Sequence, residues 1–202
     1  MKKSQEELII IAFGDSLTVG FQSPTIINPW YRETPYAQFL GEKISYPHQI
    51  IVKGISGELT EEMLRRFDRD VTAYNPDYTI ILGGSNDLGW GISPVTVKEN
   101  LTDMYNSALA KDIKPIAVTV PSIRGFDALI APRQKLNDMI KKETARLNIP
   151  CIDMFTASSE KDTFRLAEQY SNDGLHLSTE GYKLLADILY EDYFSHIVPG
   201  KK

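Results

Sequence analysis

One cysteine, Cys151, and three histidines, His48, His176 and His196, are all that 202 residues supply of the usual metal and disulfide ligands. A single thiol cannot close an intramolecular disulfide, and the set falls short of any structural zinc pattern, so neither metal nor other cofactor is expected. Positive charge is also scarce. Lys and Arg total 22 against 27 Asp and Glu, a net charge of −5, which argues against a broad phosphate-binding surface and against nucleic acid as a partner. Long apolar runs are missing: Leu8 to Phe13 is far too short to span a bilayer and lacks the small-residue cleavage site of a secretory signal. No transmembrane segment is expected, and a cytoplasmic location follows by default. There is no P-loop, no G-x-G-x-x-G and no G-x-S-x-G, which weakens nucleotide readings and disfavours the α/β-hydrolase fold proper. No linker, repeat or low-complexity run interrupts the chain, so one globular domain over residues 1–202 is expected.

What is present is an alternation of two periodicities. Short apolar, β-branched runs at Leu8 to Phe13, Ile50 to Val52, Tyr78 to Leu82, Ile116 to Val120 and Ile149 to Ile152 read as strands buried on both faces. Between them lie helical faces: Leu59, Met63, Phe67 and Val71; Val97, Leu101, Tyr105 and Ala108, opened by Ser93 as N-cap with Pro94 behind it; Leu136, Met139, Ile140 and Leu147; and Tyr182, Leu185, Ala186 and Leu189, capped by Ser178. A shorter helix is expected from Tyr36 to Ile44. Strands alternating with helices give βαβ units, hence an α/β fold with a parallel sheet covered on both sides. The aperiodic segments Phe21 to Thr34, Asp87 to Ser93, Pro121 to Arg133 and Thr156 to Asp173 are expected to be irregular. Those after strands belong at the sheet's carboxyl edge, where open α/β folds bind ligands. Trp30, Tyr31, Trp90 and Phe126 fall in these segments, as lining of an acyl or alcohol pocket or as ordinary loop packing.

Gly14-Asp15-Ser16-Leu17 follows the first strand directly, and a serine at a strand-to-helix turn is exposed and rigidly held, as a nucleophile must be. The ordinary alternative for Ser16 is a helix N-cap. Far downstream, Asp173-Gly174-Leu175-His176 spaces a carboxylate and an imidazole by three residues. On one tight turn the carboxylate reaches Nδ1–H, fixes the tautomer and leaves Nε2 as a base; the alternative is a surface turn with a capping Asp and a bystander His. Neither His48 nor His196 has a carboxylate at comparable spacing. Gly57, beyond the second strand, offers an unobstructed backbone N–H, and Asn86, in Gly84-Ser85-Asn86-Asp87 beyond the third, a side-chain amide. With the N–H of Ser16 they make a candidate three-donor oxyanion hole.

These four blocks, in order and at strand ends, resemble the SGNH (GDSL) hydrolase family. Gly14 to Leu17 is similar to its first block, Gly57 to its second, Gly84 to Asp87 to its G-x-N-D block and Asp173 to His176 to its D-x-x-H block, so the likeness runs from residue 8 to about residue 190. The resemblance implies a three-layer α/β/α, flavodoxin-like fold with five parallel strands in order 2-1-3-4-5. It implies a serine esterase acting through an acyl-enzyme on Ser16, with Asp173 and His176 completing the triad and Ser16, Gly57 and Asn86 the oxyanion hole. Its partner is a small-molecule acyl ester, with short chains expected. Lysophospholipids, acyl thioesters and acetylated sugars suit the same triad, and a non-catalytic flavodoxin-like binding module is the alternative from another class. The chain departs from the pattern at Val52, where the family often has asparagine, so the second-block loop is expected to be anchored differently. Oligomeric state is left open by the sequence.

Overall fold

The computed structural model describes residues 7–197, so the ends of the domain expected over 1–202 lie outside the described residues. In chain order its elements are β1 (Leu8–Gly14), α1 (Ser16–Val19), β2 (Phe21–Gln22), β3 (Arg32–Glu33), α2 (Tyr36–Lys43), β4 (His48–Gly54), α3 (Thr60–Asp70), β5 (Tyr78–Leu82), α4 (Ser85–Gly89), α5 (Pro94–Leu109), β6 (Lys114–Val118), α6 (Ile130–Leu147), β7 (Cys151–Ile152), α7 (Met154–Ser158) and α8 (Thr179–Asp192). Five strands pair in parallel in the order β4-β1-β5-β6-β7. Numbered within the sheet by chain order, that is 2-1-3-4-5, as the family resemblance implies.

Successive strand residues point to opposite faces, and the two cores divide on that alternation. Ile10 and Ala12 join Ile80, Leu82, Tyr36, Leu40, Tyr182 and Leu185 under α2 and α8, whereas Ile11 and Phe13 join Ile81, Met63, Phe67, Leu101 and Leu136 under α3, α5 and α6. The result is three layers with the sheet in the middle. Ser93 caps α5 by accepting from Thr96 N–H, with Pro94 at the first helical position, and Ser178 caps α8 by accepting from Gly181 N–H, both as the sequence predicts.

Three expectations need correction. The second strand is not buried on both faces: β4 is the sheet's outer edge and is half-buried, because no neighbour covers its free side. Pro121 to Arg133 is not irregular to its end, because α6 already begins at Ile130. Pro132 does not prevent this, since the N–H groups of a first helical turn have no intrahelical acceptor and proline's missing donor costs nothing there. Finally, the other aperiodic segments carry short elements, the antiparallel ribbon β2–β3 within Phe21 to Thr34, the end of α4 after Asp87, and the last residues of α7. All of the intervening loops that follow β1, β4, β5 and β6 leave the sheet at its carboxyl edge.

Candidate active site

β1 ends against its neighbour so closely that a Cβ on Gly14 would lie 2.2 Å from the Leu82 carbonyl oxygen, which makes glycine obligatory there. The chain then turns into the single helical turn of α1. Asp15, not Ser16, is the N-cap: its Oδ1 accepts from Leu17 N–H at 2.9 Å. Ser16 occupies the first helical position, where its own N–H has no intrahelical acceptor. The cap alternative for Ser16 is therefore removed. The expectation that Ser16 is exposed is also corrected. It is only 6% exposed, because the loops after β4 and β5 close around it: Ile55 N–H donates to the Gly14 carbonyl at 3.1 Å, and Asn86 reaches across to Glu58 and Asp15.

Asn86 Nδ2 donates to the Glu58 carbonyl at 2.9 Å and lies 3.5 Å from Asp15 Oδ2. It thus spans the residue after Gly57 and the residue before Ser16, and brings the three donor-bearing segments together. Gly57 sits at φ 82 with open space where a Cβ would stand. Asp87, next to Asn86, is fully committed elsewhere: both carboxylate oxygens accept from Thr60 N–H at 3.1 Å and Oδ1 accepts from Thr60 Oγ1 at 2.6 Å. From α4 it caps the start of α3 and ties the Asn86 turn to the Gly57 turn. The anchoring expected to differ at Val52 is supplied by Arg66. From α3 its guanidinium donates to the Gly14 carbonyl (2.9 Å) and the Lys53 carbonyl (3.1 Å), and pairs with buried Glu58. Asp15 is wholly buried. Desolvation pushes its carboxyl up to about 7 against the Leu17 hydrogen bond, with the Asp87 charge adding to the rise and those of His176 and Arg133 opposing it.

Asp173 and His176 meet on the tight turn before α8. Asp173 Oδ1 accepts from the N–H groups of Leu175 (2.8 Å) and His176 (2.7 Å), and Oδ2 lies 2.8 Å from His176 Nδ1. Ser23 Oγ donates to the same Oδ2. Burial alone would raise this carboxyl, but the hydrogen bonds from His176, Ser23 and the backbone outweigh it and hold Asp173 well below the ordinary carboxylate range. A carboxylate on Nδ1 fixes the tautomer with Nε2 free. The ring is braced by Phe21, edge-on at 4.6 Å between centroids, and Phe21 is itself fixed by Tyr182 Oη donating to its carbonyl at 2.8 Å. Gly174 is required by the turn, since its φ is 84 and a Cβ would lie 2.3 Å from the Arg124 carbonyl oxygen. Among the described residues no hydrogen bond joins Ser16 Oγ to His176; such contacts often tighten only with substrate bound.

Sequence reasoning missed Phe21, Ser23, Glu58 and Arg66, none of which carries a local motif. Of the four aromatics singled out, Trp30 and Trp90 stand 80% and 79% exposed. An open cleft of about 880 Å³ beside the ribbon is lined instead by Pro24, Ile26, Ile27, Pro29, Arg32 and Asn172 among others. Cys151 lies in β7 with its thiol pushed up by burial, unlike an activated nucleophile. Among the described residues no helix is long and apolar enough to cross a membrane, and no group of three or more His, Cys, Asp or Glu is placed to hold a metal ion.

The sequence profile described as the GDSL-like lipase/acylhydrolase family matches residues 12–184. The chain is 27% identical over 220 residues to an uncharacterized lipoprotein, YqeF, of Bacillus subtilis (strain 168), covering 90% of this chain and 86% of that one. Its structure is similar to that of the lipase/acylhydrolase of Enterococcus faecalis, at 25% identity and a TM-score of 0.79, over 96% of this chain and 100% of that one. In fold it also resembles an acetyl-xylooligosaccharide esterase from Geobacillus, at 18% identity and a TM-score of 0.74, over 93% of each chain.

Proposed function

The chain belongs to the GDSL-like lipase/acylhydrolase family, and from that premise we propose that it is a serine esterase working through an acyl-enzyme on Ser16. His176 Nε2 takes the Ser16 Oγ proton as Oγ forms its bond to the ester carbonyl carbon. The oxyanion is received by the N–H groups of Ser16 and Gly57 and by Asn86 Nδ2. When the intermediate collapses, the ester C–O bond breaks and the alcohol leaves with the proton from His176. Water then gives a proton to His176 and adds to the acyl carbon, the acid departs, and Ser16 Oγ recovers the proton. Asp173 holds Nδ1–H and stabilises the imidazolium in both halves. The observation that carries this reading is the Asp173–His176 contact at 2.8 Å on a ring braced by Phe21, an arrangement a binding module has no use for.

Short acyl chains are part of this reading: Trp30, Trp90 and Phe126 face solvent, and the apolar cleft beside the ribbon is open rather than an enclosed acyl chamber. The cytoplasmic location expected from the sequence has no structural observation behind it, and one relative is named a lipoprotein. The test is hydrolysis of a chromogenic acetate ester and its longer-chain, thioester and sugar-acetate counterparts, with and without chelator. Turnover greatest on short oxygen esters, indifferent to chelator and lost in His176→Ala, is expected. Full activity in Ser16→Ala, or no turnover on any member of the panel, contradicts the proposal.

A further inference from the structure

Beneath the Asn86 turn lies a charge that no motif marks. Arg133, in the first turns of α6, is 1% exposed. Its Nη1 and Nη2 both donate to Ser85 Oγ, at 3.1 and 3.2 Å, and Nη1 reaches the Pro121 carbonyl at 3.5 Å. Its Nε is buried without a partner, and among the described residues no carboxylate pairs with it. Burial pushes the guanidinium down only to about 10, with the charge of Asp15 opposing the shift, so it remains a cation at neutral pH. A buried charge without a paired counter-ion is far more costly than an apolar side chain of similar length packed in its place. Simple stability does not account for it.

Its position does. Ser85 precedes Asn86, and the turn that carries both is otherwise determined by packing: Gly84 has φ 112, and a Cβ there would lie 2.8 Å from Val97 Cγ1 and 3.1 Å from Leu136 Cδ2. One helical turn after Arg133, Asn137 clamps the adjacent edge, its Oδ1 accepting from Val120 N–H at 2.8 Å and its Nδ2 donating to the Val120 carbonyl at 2.9 Å. Asp15, the residue before Ser16, is also buried, and its charge opposes the fall of the Arg133 guanidinium. Arg133 and Asp15 therefore stand behind Asn86 and Ser16 respectively. In the resting site the cation has only a carboxyl that burial drives toward its neutral form. On the serine-esterase reading, a full negative charge develops at Asn86 when the tetrahedral intermediate forms.

Resting on the serine-esterase reading, we infer that Arg133 is a positioning residue for the oxyanion hole: it fixes Asn86 through Ser85 Oγ and supplies a buried positive field that favours the oxyanion over the ground-state carbonyl. A field that acts on developing charge lowers the barrier without tightening substrate binding. The test compares wild type with Arg133→Met, Arg133→Lys and Ser85→Ala, reading kcat and KM on a chromogenic acetate ester, the Kd of phenylboronic acid as a tetrahedral anionic mimic, and thermal unfolding. For Arg133→Met, kcat falls about 100-fold with KM within about threefold, and boronate affinity falls in parallel. Arg133→Lys, which keeps the charge, recovers about tenfold of that loss, and Ser85→Ala, which keeps the cation but loses its contact, loses about tenfold. The inference is overturned if folded Arg133→Met retains kcat within about twofold, if its loss lies in KM alone, or if Arg133→Lys is no better than Arg133→Met. Should Arg133→Met fail to fold, Arg133→Lys and Ser85→Ala decide: kcat and boronate affinity falling together in Ser85→Ala, and less in Arg133→Lys, supports the inference, and wild-type values in Ser85→Ala overturn it. A wild type active on esters with unaffected variants fails this inference alone. A wild type inactive on every ester fails the serine-esterase reading, and this inference with it.

Discussion

The two halves of the site are built on opposite terms. Around Ser16, Gly57 and Asn86 the supporting groups are buried: Asp15 is fully enclosed, Glu58 and Arg66 form an inner ion pair, Asp87 caps α3, and Arg133 lies under the Asn86 turn. Around His176 the groups face water, with the Asp173 and His176 side chains 26% and 19% exposed on a turn held by Ser23, Phe21 and Arg124. On the serine-esterase reading proposed above, the difference follows the chemistry each half would perform. Donors that receive a developing charge gain most when they cannot reorganise and when water is excluded. A base that relays protons between serine, alcohol and water needs access to solvent and a fixed tautomer, and one carboxylate supplies the latter.

The sharpest way to break this contrast is Asp173→Asn, which alters the solvent-facing half alone. It should cut kcat about 10⁴-fold with a smaller loss of stability at neutral pH than Glu58→Ala causes, because Asp173 is partly exposed and its pair with His176 is screened; a loss as large as that of Glu58→Ala would show that this turn also holds the fold together. Glu58→Ala does the reverse. It leaves Arg66 buried without its partner and should cost about 3–5 kcal/mol of stability, read from chemical denaturation. An unchanged midpoint would place that pair among the dispensable surface contacts.

A smaller effect tests the donors themselves. Asn86→Ala should lower kcat about 10²- to 10³-fold with KM little changed, measured on the same acetate ester. A loss confined to KM would make Asn86 a substrate-binding group and not an oxyanion donor.

The smallest effect separates the halves by pH. Asp15 titrates near 7 when folded and near 4 when unfolded, so the folded state holds the extra proton between those values. Its contribution is therefore complete below about pH 4 and lost as pH rises toward 7. Thermal melts should show Asp15→Asn gaining on wild type from pH 5 to 7. Asp173 has the opposite sign, because its folded value is depressed: its contribution is complete above about pH 4 and lost only as pH falls below that. Asp173→Asn and wild type should thus run parallel from pH 5 to 7 and converge in acid.

Much of this was legible in the sequence because it is local. β-branched runs mark β1, β5 and β6, Ser93-Pro94 marks the start of α5, and Asp173 to His176 form a turn whose three-residue spacing already places the carboxylate on Nδ1. Strand order came from the resemblance and not from periodicity. The scaffold was illegible for a physical reason. In Thr60–Asp70, charged residues outnumber apolar ones, so Arg66 looks like part of a solvated face; only the sheet order, which sets the Gly14 and Lys53 carbonyls above α3, turns it inward. Arg133 and Ser85 are 48 positions apart, and Ser23 and Asp173 are 150, distances across which no spacing rule applies. Ser16 is buried where the strand-to-helix turn alone implies exposure, because closure of the β4 and β5 loops over it is a tertiary event.

The central claim is that Ser16 is the nucleophile, and mass spectrometry of the intact and digested protein after treatment with a fluorophosphonate tests it most directly. One adduct on the peptide carrying Ser16, absent from Ser16→Ala and formed far more slowly in His176→Ala, is the predicted result. An adduct on another residue, or labelling that persists in Ser16→Ala at the wild-type rate, contradicts the account.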